Sequence, residues 1–234
     1  GSTGADLRVT RDPDRRAVFV GSHTEAIHMS PTTFTDLGMA LAWEGFDVDL
    51  IPYGQPVTAE DLADADLVVV LPVIDYPSPE GDPLLYDTAW DGDEVTALAA
   101  YVDAGGLLVL TNSAHRLKYT NWIQDPNEDW ADVNALASRF GVIYRADELP
   151  RSLALSSVDH PLVDGVDGLE LIEQNSVSFQ MEEGEVLAHA NGIPALALVE
   201  HGEGQVVVLA EVGMLNSGGG EPANLPFWLN LARY

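Results

Sequence analysis

VTALAAYVDAGGLLVLTN (Val95–Asn112) reads as a helix that stops at two glycines and feeds straight into a strand. Val95, Leu98 and Val102 recur at helical spacing and share one face, and Gly105-Gly106 ends the helix. LLVLTN then forms a short apolar run of the kind found in a parallel strand buried on both sides. Just upstream, Asp91 and Glu94 have the spacing of a capping box, in which the first side chain serves the helix N-terminus and the second reaches back. A capped helix, a glycine stop and a buried strand make up half of a β-α-β unit.

Moving outward, the same alternation recurs. AVFVGS (Ala17–Ser22) is a buried strand ending in Gly-Ser, and Ser30-Pro31 opens a helix whose Phe34, Leu37 and Leu41 share a face until Gly45 stops it. DVDLIP is the second strand. VTAEDLADA repeats the capping-box spacing at Thr58 and Asp61 and leads into DLVVVLPV, the third strand. After the fourth strand, NEDWADVNALASRFG predicts another amphipathic helix through Val133, Leu136 and Phe140, followed by VIYR, which the alternation places in the same sheet. The pattern predicts an α/β fold: three-layer, flavodoxin-like, with a mostly parallel sheet and helices on both faces.

From about Leu153 the texture changes. SVSFQM, EVLAHA, ALALVE and QVVVLAEV are short strands, the last two joined by a hairpin at Gly202 to Gly204, so the C-terminal part is β-hairpin-rich. PANLPFWLNLARY closes the chain as a helix with Trp228 and Leu231 toward the core. No repeat or low-complexity linker interrupts this order. Residues 1–16 are therefore expected to be an N-terminal extension and 17–234 a single domain. The first sixteen residues are polar, unlike a signal peptide, and the leading Gly-Ser resembles an expression scar.

Composition narrows the function classes. The 234 residues are 46% hydrophobic with a mean hydropathy of +0.03, enough for a sizeable core, and no run reaches the roughly 20 apolar residues that span a bilayer. A soluble chain without direct membrane insertion is expected, in a compartment the residues do not specify. With no cysteine, disulfides and thiolate chemistry are excluded. The charge is the most unusual property: 38 acidic against 10 basic residues give a net −28, with Lys118 the one lysine. Nucleic acid is not an expected partner, because its binding needs Lys/Arg clusters to displace counterions. The acidity fits halophilic adaptation or an actinobacterial-type acidic composition.

The order of elements, with FTDLGMALAWEGFDVDLI, the "helix, Gly-Gly, strand" unit at Asp103 to Thr111 and the late "Gly-x-Gly-x-hydrophobic strand, then Met-x-Asn" at Gly202 to Asn216, resembles the class I glutamine amidotransferase-like superfamily. More narrowly, it resembles the non-catalytic branch found in gliding-motility transporter subunits and intraflagellar-transport proteins. The resemblance implies a cysteine nucleophile in a glycine-flanked elbow after the fourth strand and a late His-x-Glu pair wherever catalysis survives. Here that elbow is TNSAHR, which offers Ser113 between Thr111 and His115 where small residues are needed, and no His-x-Glu follows the last strand. Amidotransferase chemistry is therefore not expected. Asn112, Ser113 and His115 read first as a polar strand end that satisfies loop backbone groups.

In an open parallel sheet ligands sit beyond the carboxyl ends of the strands. Four loops are expected there, at Gly21 to His28, Val73 to Asp87, Asn112 to Tyr119 and Glu211 to Gly220. They supply the candidate ligand-binding residues His23, Glu25, His28, Asp75, Tyr76, Asn112, Ser113, His115, Arg116, Lys118, Glu211 and Asn216. Arg116 and Lys118 form a local basic spot in an acidic field, suited to an anionic or polar ligand.

No cofactor and no metal are expected. His23, Glu25 and His28 lack a third or fourth ligand at a recognisable spacing. The acidic stretch with Asp82, Asp87 and Asp93 lacks a calcium-loop pattern, and GSHTEAIHMSP is not a phosphate-binding turn. Tyr76, Tyr86, Trp90, Tyr119, Trp122 and Trp130 could stack on sugar rings or pack helix ends. The sequence thus points to a non-catalytic binding domain within a larger assembly, its partner an unknown protein or a small polar ligand such as a glycan. The alternatives are a hydrolase using Ser113 or a His23/His28/His115 metal centre, and an oligomerisation module. The oligomeric state is left open.

Overall fold

The computed structural model describes residues 14–23, 35–73, 90–112, 130–149, 154–155, 159–169, 177–215 and 224–234. The elements in chain order are β1 (Arg15–Val20), α1 (Thr35–Trp43), β2 (Phe46–Ile51), β3 (Leu67–Val70), α2 (Gly92–Asp103), β4 (Leu107–Leu110), α3 (Trp130–Ala137), β5 (Val142–Glu148), β6 (Ala154–Leu155), β7 (Val177–Met181), β8 (Glu185–Ala190), β9 (Ile193–His201), β10 (Gly204–Leu209) and α4 (Leu225–Arg233). Eight strands form one sheet in the order β2-β1-β3-β4-β10-β9-β8-β6. The pairs from β2 to β10 are parallel, and those from β10 outward to β6 are antiparallel. This is the expected α/β, flavodoxin-like architecture with helices on both faces and a hairpin-rich C-terminal part.

The central strands are buried because β3 and β4 are apolar at every position and β1 and β10 over their last four residues. All four residues of β3 are buried, as are Val18, Val20, Leu108 and Val206. Each such side chain contributes about 1.5–3 kcal/mol of hydrophobic stabilisation, which favours a central place in the sheet over an edge.

At α2 the capping box forms as its spacing requires: Asp91 accepts from the Asp93 N–H, and Glu94 accepts from the Asp91 N–H. Gly105, at φ 104°, occupies backbone space that side chains disfavour and ends the helix. The β9–β10 hairpin then docks on this corner, with the Gln205 N–H donating to the Gly106 carbonyl at 3.1 Å. The closing helix α4 buries Phe227, Trp228 and Leu231.

One motif forms without a helix behind it, and one expectation fails. VTAEDLADA makes its capping-box bonds, with the Thr58 N–H and hydroxyl both donating to Asp61 at 2.9 and 2.6 Å. No helix follows, because the segment continues as consecutive turns and Asp64 takes a left-handed φ of 59°. VIYR is a strand, β5, but it pairs antiparallel with β7 in a separate two-stranded ribbon instead of extending the parallel sheet. Tyr144 connects that ribbon to the main sheet: its buried hydroxyl lies 3.2 Å from the Leu110 carbonyl and 3.1 Å from that of Leu209. The expected helix start at Ser30-Pro31 lies outside the described residues. Among them, no helix is long and apolar enough to cross a membrane.

Candidate functional site

The strand order reverses direction between β1 and β3, and in open α/β sheets such a switch point at the carboxyl edge is where ligands sit. The ladder runs a little past the strands, through Leu71 N–H to the Val20 carbonyl at 3.0 Å and Gly21 N–H to the Ile51 carbonyl at 2.8 Å. Ser22 and His23 come next. The Ser22 carbonyl accepts from the Gly54 N–H, whereas its hydroxyl is buried without a hydrogen-bond partner.

His23 turns toward the N-terminus of α2, where its Nε2 lies 3.0 Å from Oε2 of Glu94. Both side chains are nearly closed to solvent, at 11% and 4% exposure. Trp90, the residue before the helix cap, packs its ring on the imidazole with centroids 4.3 Å apart. Glu94 accepts from three directions: the Asp91 N–H and His23 on one oxygen and the Val57 N–H, at 2.8 Å, on the other. Burial pushes the Glu94 pKa up, but the hydrogen bond from His23, the two backbone donors and the attraction of the imidazole outweigh it and hold it below the usual carboxylate range. An ionised carboxylate can only accept, so Nε2 of His23 is the donor in this bond.

The neighbouring strand ends carry further buried polar residues. Thr111 donates its hydroxyl to the Val70 carbonyl at 2.8 Å, joining the ends of β4 and β3. The Val212 N–H donates to the Asn112 carbonyl at 2.8 Å and joins the ends of β10 and β4. The side chains of Asn112 and Glu211 are buried beside this link.

Of the twelve expected site residues, the structure therefore gathers His23, Asn112 and Glu211 at the ends of β1, β4 and β10. Glu25, His28, Asp75, Tyr76, Ser113, His115, Arg116, Lys118 and Asn216 lie outside the described residues. Sequence reasoning missed Glu94 as a site residue, because its capping role accounts for one hydrogen bond and gives no sign of the other two. Among the described residues no three His, Asp or Glu side chains converge as a metal site. The N-terminus of α2 carries Asp91, Asp93 and Glu94, which oppose an anion there. Of the six aromatic residues, Trp90 does what helix-end packing requires, buried against His23.

No protein-family model matches the chain, and no curated protein matches it. Solved structures do. Cytoplasmic protein STM1381 from Salmonella typhimurium LT2 is 20% identical, with a TM-score of 0.60 over 93% of this chain and 98% of that one. The mmIFT52 N-terminal domain is 15% identical, with a TM-score of 0.60 over 90% and 93%. A thua-like protein from Bacteroides uniformis ATCC 8492 is 14% identical, with a TM-score of 0.53 over 97% and 94%. At these identities the likeness defines the fold alone: the chain shares the α/β architecture of these proteins.

Proposed function

We propose that the chain is a binding domain on the glutamine amidotransferase-like fold, of the non-catalytic branch, working within a larger assembly. Its ligand site is the carboxyl edge around His23 and Glu94. The observation that supports this best is the placement of a buried, ionised carboxylate and its imidazole partner at the carboxyl edge, beside the switch point between β1 and β3. Buried charges are costly to keep, and this pair stands where the fold accommodates ligands. The ligand is a protein or a small polar molecule. The absence of cysteine rules out a glutamyl thioester, so pure protein is expected to release no ammonia from glutamine.

A hydrolase remains the second reading, favoured by one observation: Glu94 orients His23 as the acid of a catalytic triad orients its base. Fluorophosphonate labelling separates the two. Covalent attachment at Ser113 that disappears in His23→Ala supports the hydrolase, and an unlabelled protein supports the binding domain.

A further inference from the structure

We propose that β2 is a docking edge for an extended partner segment that alternates basic and apolar residues. Among the described residues β2 is the outermost strand, paired with β1 on one side only. The Ile51 carbonyl accepts from the Gly21 N–H, so residue 51 bonds inward. Bonding residues alternate along a parallel pair, so Asp47 and Asp49 also bond inward while Val48 and Leu50 turn their N–H and C=O groups to the open edge.

The side chains fit the same occupant. Val48 and Leu50 share one face of the strand and are 36% and 44% exposed. Four of the seven exposed large hydrophobic residues lie on α1 and β2: Met39 at 58% and Trp43 at 82%, one turn apart on α1, with Val48 and Leu50 on the strand α1 leads into. Asp47 and Asp49 occupy the opposite face of β2 and are exposed; Asp49 is held 2.8 Å from Arg16.

Charge selects among occupants. A second copy would bring another net −28 and its own Asp47 and Asp49 to the contact. A strand with Lys or Arg at alternate positions would set them against these carboxylates and its apolar residues against Val48 and Leu50, while its backbone completes the open hydrogen-bonding row. This surface is independent of the carboxyl-edge site.

The test uses the whole chain and a fluorescent, end-capped peptide alternating lysine and valine, with a peptide of the same composition in blocks as a control for charge alone. Fluorescence anisotropy should show saturable binding of the alternating peptide, at least tenfold weaker for the block peptide and for the Val48→Glu/Leu50→Glu variant. Hydrogen exchange should slow at residues 46–51 when the alternating peptide is bound. Equal binding of both peptides, binding unchanged in the double variant, or no saturable binding would overturn the proposal. So would a dimer in molar KCl, seen by light scattering and abolished by the double variant, since the occupant would then be a second copy.

Discussion

His23 and Glu94, 71 positions apart, meet at 3.0 Å and tie the end of β1 to the first turn of α2. The same carboxylate takes the Val57 N–H, so one buried side chain joins three segments at the carboxyl edge. Glu94→Ala orphans a buried donor and removes half of the capping box, and should cost about 2 kcal/mol of stability. His23→Ala leaves the Val57 and Asp91 donors satisfied and should cost about 1 kcal/mol. Urea unfolding of the two variants checks the order; a larger loss in His23→Ala would mean that the imidazole, not the carboxylate, holds the corner.

The ionised state of Glu94 has a pH consequence. Its folded pKa lies below the ordinary value of 4.5, so the unfolded chain binds its proton more readily. The stabilisation is therefore fully present above pH 4.5 and is lost as the pH falls through the lower folded value. The stability difference between the parent and Glu94→Gln should stay flat from neutral pH to about 5 and shrink below it. A difference that widens on acidification would show that the carboxyl is protonated in the folded state.

Tyr144 offers a test of how the β5–β7 ribbon is held. Its hydroxyl is fully buried between the Leu110 and Leu209 carbonyls, and burial pushes its pKa far up, so it remains a neutral donor at all working pH values. Tyr144→Phe keeps the ring packed against Phe179 and removes only the donor, and should cost about 1–2 kcal/mol. Thermal unfolding reads this directly; no loss would mean that ring packing alone fixes the ribbon.

Local chemistry made much of this fold readable from sequence. The Asp91–Glu94 box, the Gly105-Gly106 stop and the Gly202 hairpin each depend on residues a few positions apart, and each forms as read. The Thr58–Asp61 box shows the limit: its hydrogen bonds are local and form, yet the segment runs on as turns, with the Asp61 and Ala63 carbonyls accepting from the Arg16 guanidinium on β1. The sheet that β5 joins is likewise decided at a distance, since VIYR suits either a parallel or an antiparallel partner. At the site, His23 was legible as a polar residue after a strand. Its bond to Glu94 was not, because nothing local couples positions 71 apart.

The acidity gives the last prediction. Even if all 10 basic residues were paired, 28 of the 38 carboxylates would be left without a basic partner. Salt weakens exposed pairs such as Arg233–Glu44 and Arg16–Asp49, but each is worth only about 0–1 kcal/mol. It also screens the repulsion among all the unpaired charges, over a Debye length that falls to about 3 Å at 1 M. The second effect involves more charges and should win, so the melting temperature should rise markedly between low and molar KCl. Calorimetry across that range decides the matter. A flat or falling response would mean that the folded surface already spaces its carboxylates beyond effective repulsion, and would remove the halophilic explanation for the composition.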